Sequence, residues 1–228
     1  EMVRIQEARF RADNLIVWGK YEMEKGDFAS AIRSFEDADS ILEEHSLTRA
    51  VLPFIENPHT IAVGGIIRLA NGCKVDHGRV VEIGLPKSHL ARFQVVEYLR
   101  AFLAGRVALS MMNGLLIISG AFGIFTRRAV IEVGGFRHDT VGEDMDMVAK
   151  LHRHFRLARE PYRIVFQPDP VCWTEAPEKF GSLARQRDRW QRGTLQTLRF
   201  HAPMLLNPRY GLLGLVVMPY YLLFEGIG

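Results

Sequence analysis

The hydrophobic positions of the chain change their period several times, and each change predicts a different element. Apolar and β-branched residues run almost continuously over 60–69, which is typical of a strand buried on both faces. Over 145–155 they recur at spacings of three and four, which predicts an amphipathic helix. The predicted strands cover 60–69 and 163–167, and the predicted helices cover 47–55, 90–109, 127–133, 145–155 and 182–200. Strands that alternate with helices predict an α/β layered domain.

The first 36 residues have a different pattern of small, aromatic and polar residues, and this pattern predicts helix. The stretch WGKYEMEKGDFASAIRSFEDA contains a Gly26-Asp27-Phe28 turn, followed by small and aromatic residues at helical spacing. This resembles one tetratricopeptide-like hairpin, yet a single repeat cannot bury its own apolar face. A helical hairpin packed on the rest of the chain therefore remains an equal alternative.

The C-terminal stretch GLLGLVVMPYYLLFEGIG is uncharged from Gly211 to Phe224. That run is shorter than the roughly 20 residues that a membrane-spanning helix needs. An interfacial helix, the start of a spanning helix and a buried core helix with a kink at Pro219 all fit, and the first two are favoured. We expect residues 204–228 to form this separate segment at a membrane.

Composition restricts the class of protein only slightly. The chain has 228 residues, of which 48% are hydrophobic, so it can bury a sizeable core. The net charge of +3 is too small to indicate a nucleic-acid-binding protein, and no nucleic-acid partner is expected. Cys73 and Cys172 fit no metal-binding spacing and are most simply interpreted as buried thiols of a cytosolic protein.

Three polar clusters are candidates for chemistry, and the first is Asp37-Ala38-Asp39. Two carboxylates one residue apart can share Mg²⁺ or Mn²⁺, which then holds a substrate diphosphate. An acidic pair on a solvated helix surface is the more common explanation of such a pattern taken alone.

The second cluster, Gly142-Glu143-Asp144, comes directly before the predicted helix over 145–155. A carboxylate at the mouth of a pocket can act as a general base that takes a proton from a sugar hydroxyl. Acidic residues also stabilise the first turn of a helix, and this alternative stays open. Asp146 lies on the same turn and is expected to be solvated.

The third cluster is SLARQRDRWQRG over 182–193. On a helix, Gln186, Arg189, Trp190 and Gly193 share one face. Arginine forks suit diphosphate oxygens, a tryptophan ring suits a sugar, and Gly193 is expected to leave room for a ligand. A solvated, positively charged helix face is the alternative.

Together these stretches resemble the family-2 glycosyltransferases, in particular the membrane-associated branch that includes cellulose and hyaluronan synthases. The matching segments are DADSIL at 37–42, SGAFGIFTRRAVIEVGGF at 119–136, VGEDMDM at 141–147 and QRDRW at 186–190. Their order and spacing both fit, and the resemblance covers residues 37–228.

The resemblance implies a role for each matching residue. Asp144 corresponds to the catalytic base, with Glu143 as its acidic neighbour. Asp37 and Asp39 correspond to the pair that binds Mg²⁺ or Mn²⁺ and the diphosphate. The residues that correspond to the motif closing over the nucleotide diphosphate and lining the acceptor site are Gln186, Arg189 and Trp190.

The resemblance also implies a fold and a reaction. The fold would be GT-A-like, a mixed sheet with flanking helices over 37–203, without its N-terminal nucleotide-binding part. The reaction would transfer a sugar, with inversion, from a nucleotide-diphosphate sugar to a glycan or lipid acceptor at the cytoplasmic face of a membrane. Because that part is missing, we expect weak donor binding and little turnover by this chain alone. The alternative is a catalytically silent module that binds a partner or a membrane.

Overall fold

The computed structural model of the protein describes residues 40–227. The helical segment predicted over 1–36 and the acidic pair Asp37 and Asp39 lie outside the described residues, so these expectations stay predictions.

The described chain alternates between strands and helices. The strands are β1 (Ile41–Leu42), β2 (Thr60–Leu69), β3 (Lys74–Asp76), β4 (Arg79–Glu82), β5 (Gly123–Phe125) and β6 (Arg163–Thr174). The helices up to residue 200 are α1 (Ser46–Glu56), α2 (His89–Leu99), α3 (Val107–Met111), α4 (Arg127–Glu132), α5 (Glu143–Ala158) and α6 (Phe180–Phe200). Alternation of this kind confirms the predicted α/β class.

Four of the strands form one mixed sheet in the order β1-β6-β2-β5. The central strand β2 pairs in parallel with β6 and antiparallel with β5, and β1 pairs antiparallel with β6. Nine of the ten residues of β2 are buried, as its unbroken apolar run predicts. The remaining strands, β3 and β4, form a separate hairpin that the sequence did not predict.

Helix α5 separates two hydrophobic clusters and contributes to both. Its predicted apolar face, Met147, Val148, Leu151 and Phe155, is buried in the hydrophobic cluster that includes the sheet residues, as expected. On another side of the helix, Met145 and Ala149 pack with the C-terminal segment. These two contacts fix α5 in position along much of its length.

A buried histidine joins α5 to the segment that leads into β5. His152 is fully buried, and its Nε2–H donates to the Leu115 carbonyl at 2.8 Å while its Nδ1 accepts from the Tyr162 hydroxyl at 2.6 Å. Burial lowers the pKa of His152 to about 4, so the ring is neutral near pH 7. The network fixes the start of the irregular stretch 115–122 beside α5.

The helix predicted over 90–109 is present, but its geometry changes part-way. Helix α2 continues into a π-helical segment, Arg100–Arg106, before α3 completes the run. Such wide turns have an extra residue and are frequent at functional sites. Here the segment ends at Arg106, beside the candidate site described below.

Residues 202–227 form a series of short helical turns that pack on α5 and α6. Met204, Leu213 and Met218 are almost completely buried in the second hydrophobic cluster. Other apolar side chains face outward: Leu206, Leu215, Val216, Tyr220, Leu223 and Phe224 are between 46% and 67% exposed. The segment therefore has a buried side, as a core helix would, and an exposed apolar side. Within residues 40–227, no helix combines the length and apolarity that crossing a bilayer requires.

Candidate active site

The side chain of Asp144 lies at a small pocket, on the first turn of α5. The pocket is lined by Ile118, Ser119, Gly120, Gly123, Phe125, Phe136 and Asp144. The Gly120 N–H donates to Asp144 Oδ2 at 3.1 Å, and the Met145 N–H donates to Oδ1 at 2.8 Å. Each carboxylate oxygen is thus held by one backbone donor, so the carboxylate has a defined orientation at the pocket.

Several groups act on the charge of Asp144. Burial raises the pKa of this carboxyl above its ordinary value. The backbone donors of Met145 and Gly120 and the charge of Arg106 act in the opposite direction, and Glu143 adds to the effect of burial. A raised pKa is characteristic of carboxylates that take part in proton transfer.

Asp146 is not solvated, and this expectation was wrong. Its side chain is completely buried, and Oδ1 hydrogen-bonds to His201 Nε2 at 3.0 Å, while Lys150 Nζ lies 3.5 Å from Oδ2. A buried carboxylate needs such partners because loss of hydration is costly. The residue therefore fastens α5 to the end of α6.

Gly193 does not leave room for a ligand, which corrects a second expectation. A Cβ built on Gly193 would lie 2.8 Å from Gly142 Cα, and one built on Gly142 would lie 2.7 Å from Gly193 Cα. The two backbones meet at a distance that only glycines permit. Alongside them, the Gln196 side chain accepts from the Thr140 hydroxyl at 2.9 Å and the Val141 N–H at 3.2 Å. The loop before Asp144 is therefore anchored to α6.

Trp190 lies on the outer half of α6, flanked by aromatic and charged groups. Its ring centroid is 6.4 Å from that of Tyr98 on α2, and the Arg187 guanidinium carbon is 4.8 Å from its ring centroid. Arg187 is itself held by two hydrogen bonds of 2.6 Å to Glu97. The ring remains 40% exposed, so it is oriented by its neighbours and still accessible.

The other two residues of this motif occupy different surroundings. Gln186 is partly buried, and its Oε1 is buried without a hydrogen-bond partner among the residues that the structure describes. Arg189 is exposed. The three motif residues thus lie on α6, and Asp144 and Glu143 lie at the start of the preceding helix α5. The Gly142–Gly193 contact joins the two helices.

Two residues near the candidate site were missed by the sequence arguments. Arg106 interacts electrostatically with both Asp144 and Tyr98, and Tyr98 contacts Trp190. The Arg106 guanidinium lies over the Phe102 ring, and the Phe102 ring centroid is 5.8 Å from that of Tyr98. The available signal was a single charge in the run AFLAGRVAL, where a solvated face would not place one arginine among apolar neighbours.

The described residues contain no group of three or more side chains that could hold a metal ion. The predicted metal ligands Asp37 and Asp39 lie outside the described part of the chain. The arrangement of Asp144 does not require a metal to explain its hydrogen bonds, since both oxygens accept from backbone N–H groups.

Comparison with known proteins decides the family. Residues 36–225 match the sequence model of the glycosyl transferase family group 2. The chain belongs to this family. The match covers the segment with Asp144 and the segment with Gln186, Arg189 and Trp190, in agreement with the resemblance found in the sequence. The mixed sheet with flanking helices agrees with the α/β fold that this resemblance implied.

Relatives of this family member include synthases of a bacterial polysaccharide. Poly-beta-1,6-N-acetyl-D-glucosamine synthase from Staphylococcus aureus (strain COL) is 28% identical over 162 residues, which are 71% of this chain and 34% of the relative. The Staphylococcus epidermidis synthase is 28% identical over 192 residues, which are 84% of this chain and 40% of the relative. The chain thus spans about a third to two fifths of the length of these curated relatives.

A similar solved structure is a mannosyltransferase, PcManGT from Pyrobaculum calidifontis, in complex with GDP-Man and Mn²⁺. It is 18% identical, with a TM-score of 0.49, and the match covers 82% of this chain and 44% of that one.

Proposed function

We propose that the protein transfers a sugar, with inversion, from a nucleotide-diphosphate sugar to a hydroxyl group of a glycan or lipid acceptor. Family membership supports the reaction class, and the polysaccharide synthases among the relatives favour a glycan acceptor. The site residues would be Asp144 as the base, with Glu143 beside it, and Gln186, Arg189 and Trp190 at the diphosphate and acceptor.

One observation carries this proposal. The Asp144 carboxylate is held by two backbone donors at a pocket, on a helix start that is fastened to the helix of Gln186 and Trp190. A base and a binding platform must reach the same acceptor hydroxyl, and their mutual position largely sets the rate. The Gly142–Gly193 contact provides such a fixed relation.

The proposed chemistry is a single displacement. As the acceptor oxygen attacks the anomeric carbon, its proton moves to the Asp144 carboxylate and the bond from that carbon to the phosphate oxygen breaks. The leaving nucleoside diphosphate carries the electron pair, and Arg189 of α6 would interact with its charge. A divalent cation held by Asp37 and Asp39 would neutralise part of this charge.

The test is release of nucleoside diphosphate from a panel of UDP- and GDP-sugars with Mg²⁺ or Mn²⁺, by this chain joined to a donor-binding segment of the same family, because the chain alone is expected to turn over little. We expect Asp144→Asn to lower kcat by a factor of about 10² to 10⁴, because the amide cannot accept the proton. Circular dichroism should be unchanged, since the amide oxygen can still accept a backbone hydrogen bond. Full activity of Asp144→Asn would show that another residue is the base.

We further propose that residues 204–227 bring the protein to a membrane surface. Their exposed apolar side chains, from Leu206 to Phe224, suit the boundary between headgroups and acyl chains. Binding to liposomes that is lost in Leu223→Glu together with Phe224→Glu, while both proteins unfold at the same temperature, would support this. Absence of liposome binding by the unmodified protein would contradict it.

A further inference from the structure

An ion pair lies against the Trp190 ring at the candidate site. Each Nη group of Arg187 donates to a separate carboxylate oxygen of Glu97, and both hydrogen bonds are 2.6 Å long. The Arg187 guanidinium carbon lies over the Trp190 ring, 4.8 Å from the ring centroid. Two parallel hydrogen bonds hold a guanidinium in one plane, so the Glu97–Arg187 pair fixes the group that covers the tryptophan.

A row of rings connects Trp190 to the core of the protein. Its ring centroid is 6.4 Å from that of Tyr98, which follows Glu97 on α2. The Tyr98 centroid is 5.8 Å from that of Phe102, and the buried Phe102 ring is 6.0 Å from the Phe166 ring on β6. Trp190 thus contacts α2 directly as well as through the charged pair.

The pairing of Arg187 separates it from Arg189, although both belong to the stretch QRDRW. The two Nη groups of Arg187 already donate to Glu97, and that carboxylate balances its charge. A fork that is occupied in this way is not available for the same two-point contact with phosphate oxygens. Arg189 is exposed and free of this constraint.

The exposure of these groups indicates orientation rather than stability as their role. The Arg187 and Glu97 side chains are 34% and 41% exposed, so water screens their attraction and the pair adds little to the stability of the fold. Trp190 is 40% exposed and accessible to a ligand. A ring that is already fixed loses less freedom when a ligand stacks on it, and this strengthens binding.

We propose that Arg187, held by Glu97, is a positioning residue that fixes the Trp190 ring as a platform for a sugar ring of the acceptor. The guanidinium covers part of the ring and leaves the exposed part for the sugar. This inference rests on the proposed role of Trp190 at the acceptor. It assigns Arg187 to the acceptor side of the site and not to the diphosphate.

The first measurement is ¹⁹F NMR of the full 228-residue chain labelled with 5-fluorotryptophan. The Trp190 signal is assigned by its loss in Trp190→Phe. Glu97→Gln is the informative variant, because it keeps the guanidinium and removes only the charge that holds it. We expect Glu97→Gln and Arg187→Lys each to shift the Trp190 signal by more than its linewidth, since the cation no longer has a fixed place over the ring.

The matched control is Arg199→Met, which removes a positive charge from an exposed position in the last turn of α6. It should leave the Trp190 signal in place, and so should the signal of the buried Trp173 stay in place in every variant. An unchanged Trp190 signal in Glu97→Gln, or an equal shift in Arg199→Met, would overturn the proposal.

Kinetics of the chain joined to a donor-binding segment of the same family separate the acceptor from the diphosphate, with chitotetraose or cellotetraose as the acceptor. We expect Arg187→Met to raise the acceptor KM about threefold to fivefold, with kcat and the KM for the sugar nucleotide unchanged. Glu97→Gln should act in the same direction, and the double variant should not exceed Arg187→Met. Arg187→Lys keeps the charge but not the two-point pair, so it should resemble Arg187→Met.

The opposite kinetic pattern would contradict the proposal. A raised KM for the sugar nucleotide in Arg187→Met, together with normal kinetics of Arg187→Lys, would place this charge at the diphosphate. An unchanged acceptor KM in Glu97→Gln would show that the pair does not position the platform. If no sugar is transferred, the proposed function fails, whereas the ¹⁹F signals still decide whether the pair fixes the ring.

Discussion

The two halves of α6 differ sharply although they belong to one continuous helix. The half after Gly193 is anchored: Thr197 and Leu198 are buried, and Gln196 holds the loop before Asp144. The half before it carries Trp190 and Arg189, which are exposed. The anchored half fixes the helix relative to the candidate base, and the open half presents the groups proposed to meet the substrate. Stability and activity should therefore respond to substitutions in different halves.

The largest effect on stability is expected from His201→Ala at the end of the anchored half. The substitution leaves the Asp146 carboxylate buried with Lys150 at 3.5 Å as its remaining partner. We expect a loss of about 3 kcal/mol in the free energy of unfolding, measured with urea by circular dichroism. The control is Asp188→Ala, at an exposed position of the open half, which should change stability little. A loss below about 1 kcal/mol in His201→Ala would mean that Lys150 suffices.

The next effect should come from Gly193→Ala. The new Cβ would meet the Gly142 backbone at 2.8 Å, and neither side is a flexible side chain. We expect a loss of about 2 kcal/mol in unfolding free energy and reduced sugar transfer, because the two helices must separate. Gly181→Ala is the matched control in the open half, where the new Cβ would meet only Arg185 Nη1, at 3.7 Å. Equal unfolding free energies of the two variants would contradict the distinction between the anchored and the open half of α6.

Trp190→Ala should show the opposite behaviour, with an effect on activity rather than on stability. We expect kcat/KM to fall about tenfold, since an aromatic platform contributes on the order of 1 kcal/mol to a stacked ring. The unfolding free energy should change by less than about 1 kcal/mol because the ring is 40% exposed. Trp190→Phe should recover most of the activity. A stability loss larger than that of Gly193→Ala would place Trp190 in the anchored half.

The smallest effect is expected from Glu97→Gln, which weakens the pair with Arg187 beside Trp190. Both side chains are about a third or more exposed, at 41% and 34%, so water screens their attraction. We expect a loss of about 0.5 kcal/mol in unfolding free energy that diminishes at high salt. The exposed Glu82→Gln serves as control. A salt-independent loss would indicate packing rather than charge as the origin.

The sequence predicted the elements that this comparison uses, because each is encoded by a local period. The apolar run of β2 and the spacing of Met147, Leu151 and Phe155 on α5 are visible within one window of the chain. The shared helix of Gln186 and Trp190 follows from their spacing alone. The roles proposed for Asp144, Gln186 and Trp190 came instead from the resemblance to a family, which local periods do not supply.

What the sequence did not predict are partners that are distant along the chain. His201 lies 55 residues from Asp146, and no local pattern shows that the two meet. The period of α6 puts Gly193 on the face of Trp190 but does not reveal that Gly142 lies opposite. The wide turns before Arg106 likewise depend on packing rather than on a sequence signal. Tertiary contacts thus decided which polar residues are buried and which are free to bind.

The π-helical segment Arg100–Arg106 also has a consequence for how this chain tolerates insertions and deletions. An extra residue in a helix changes the direction in which all later side chains point. The segment therefore sets the rotation of α3 about the helix axis relative to α2. Deleting one residue, such as Gly105, would restore regular turns and rotate α3 by about 100° relative to α2. Tyr98 would keep its place beside Trp190, whereas Ser110, whose hydroxyl accepts from the Phe166 N–H, would turn away from β6. A single-codon deletion would thereby move α3 off the sheet without changing any residue type in it.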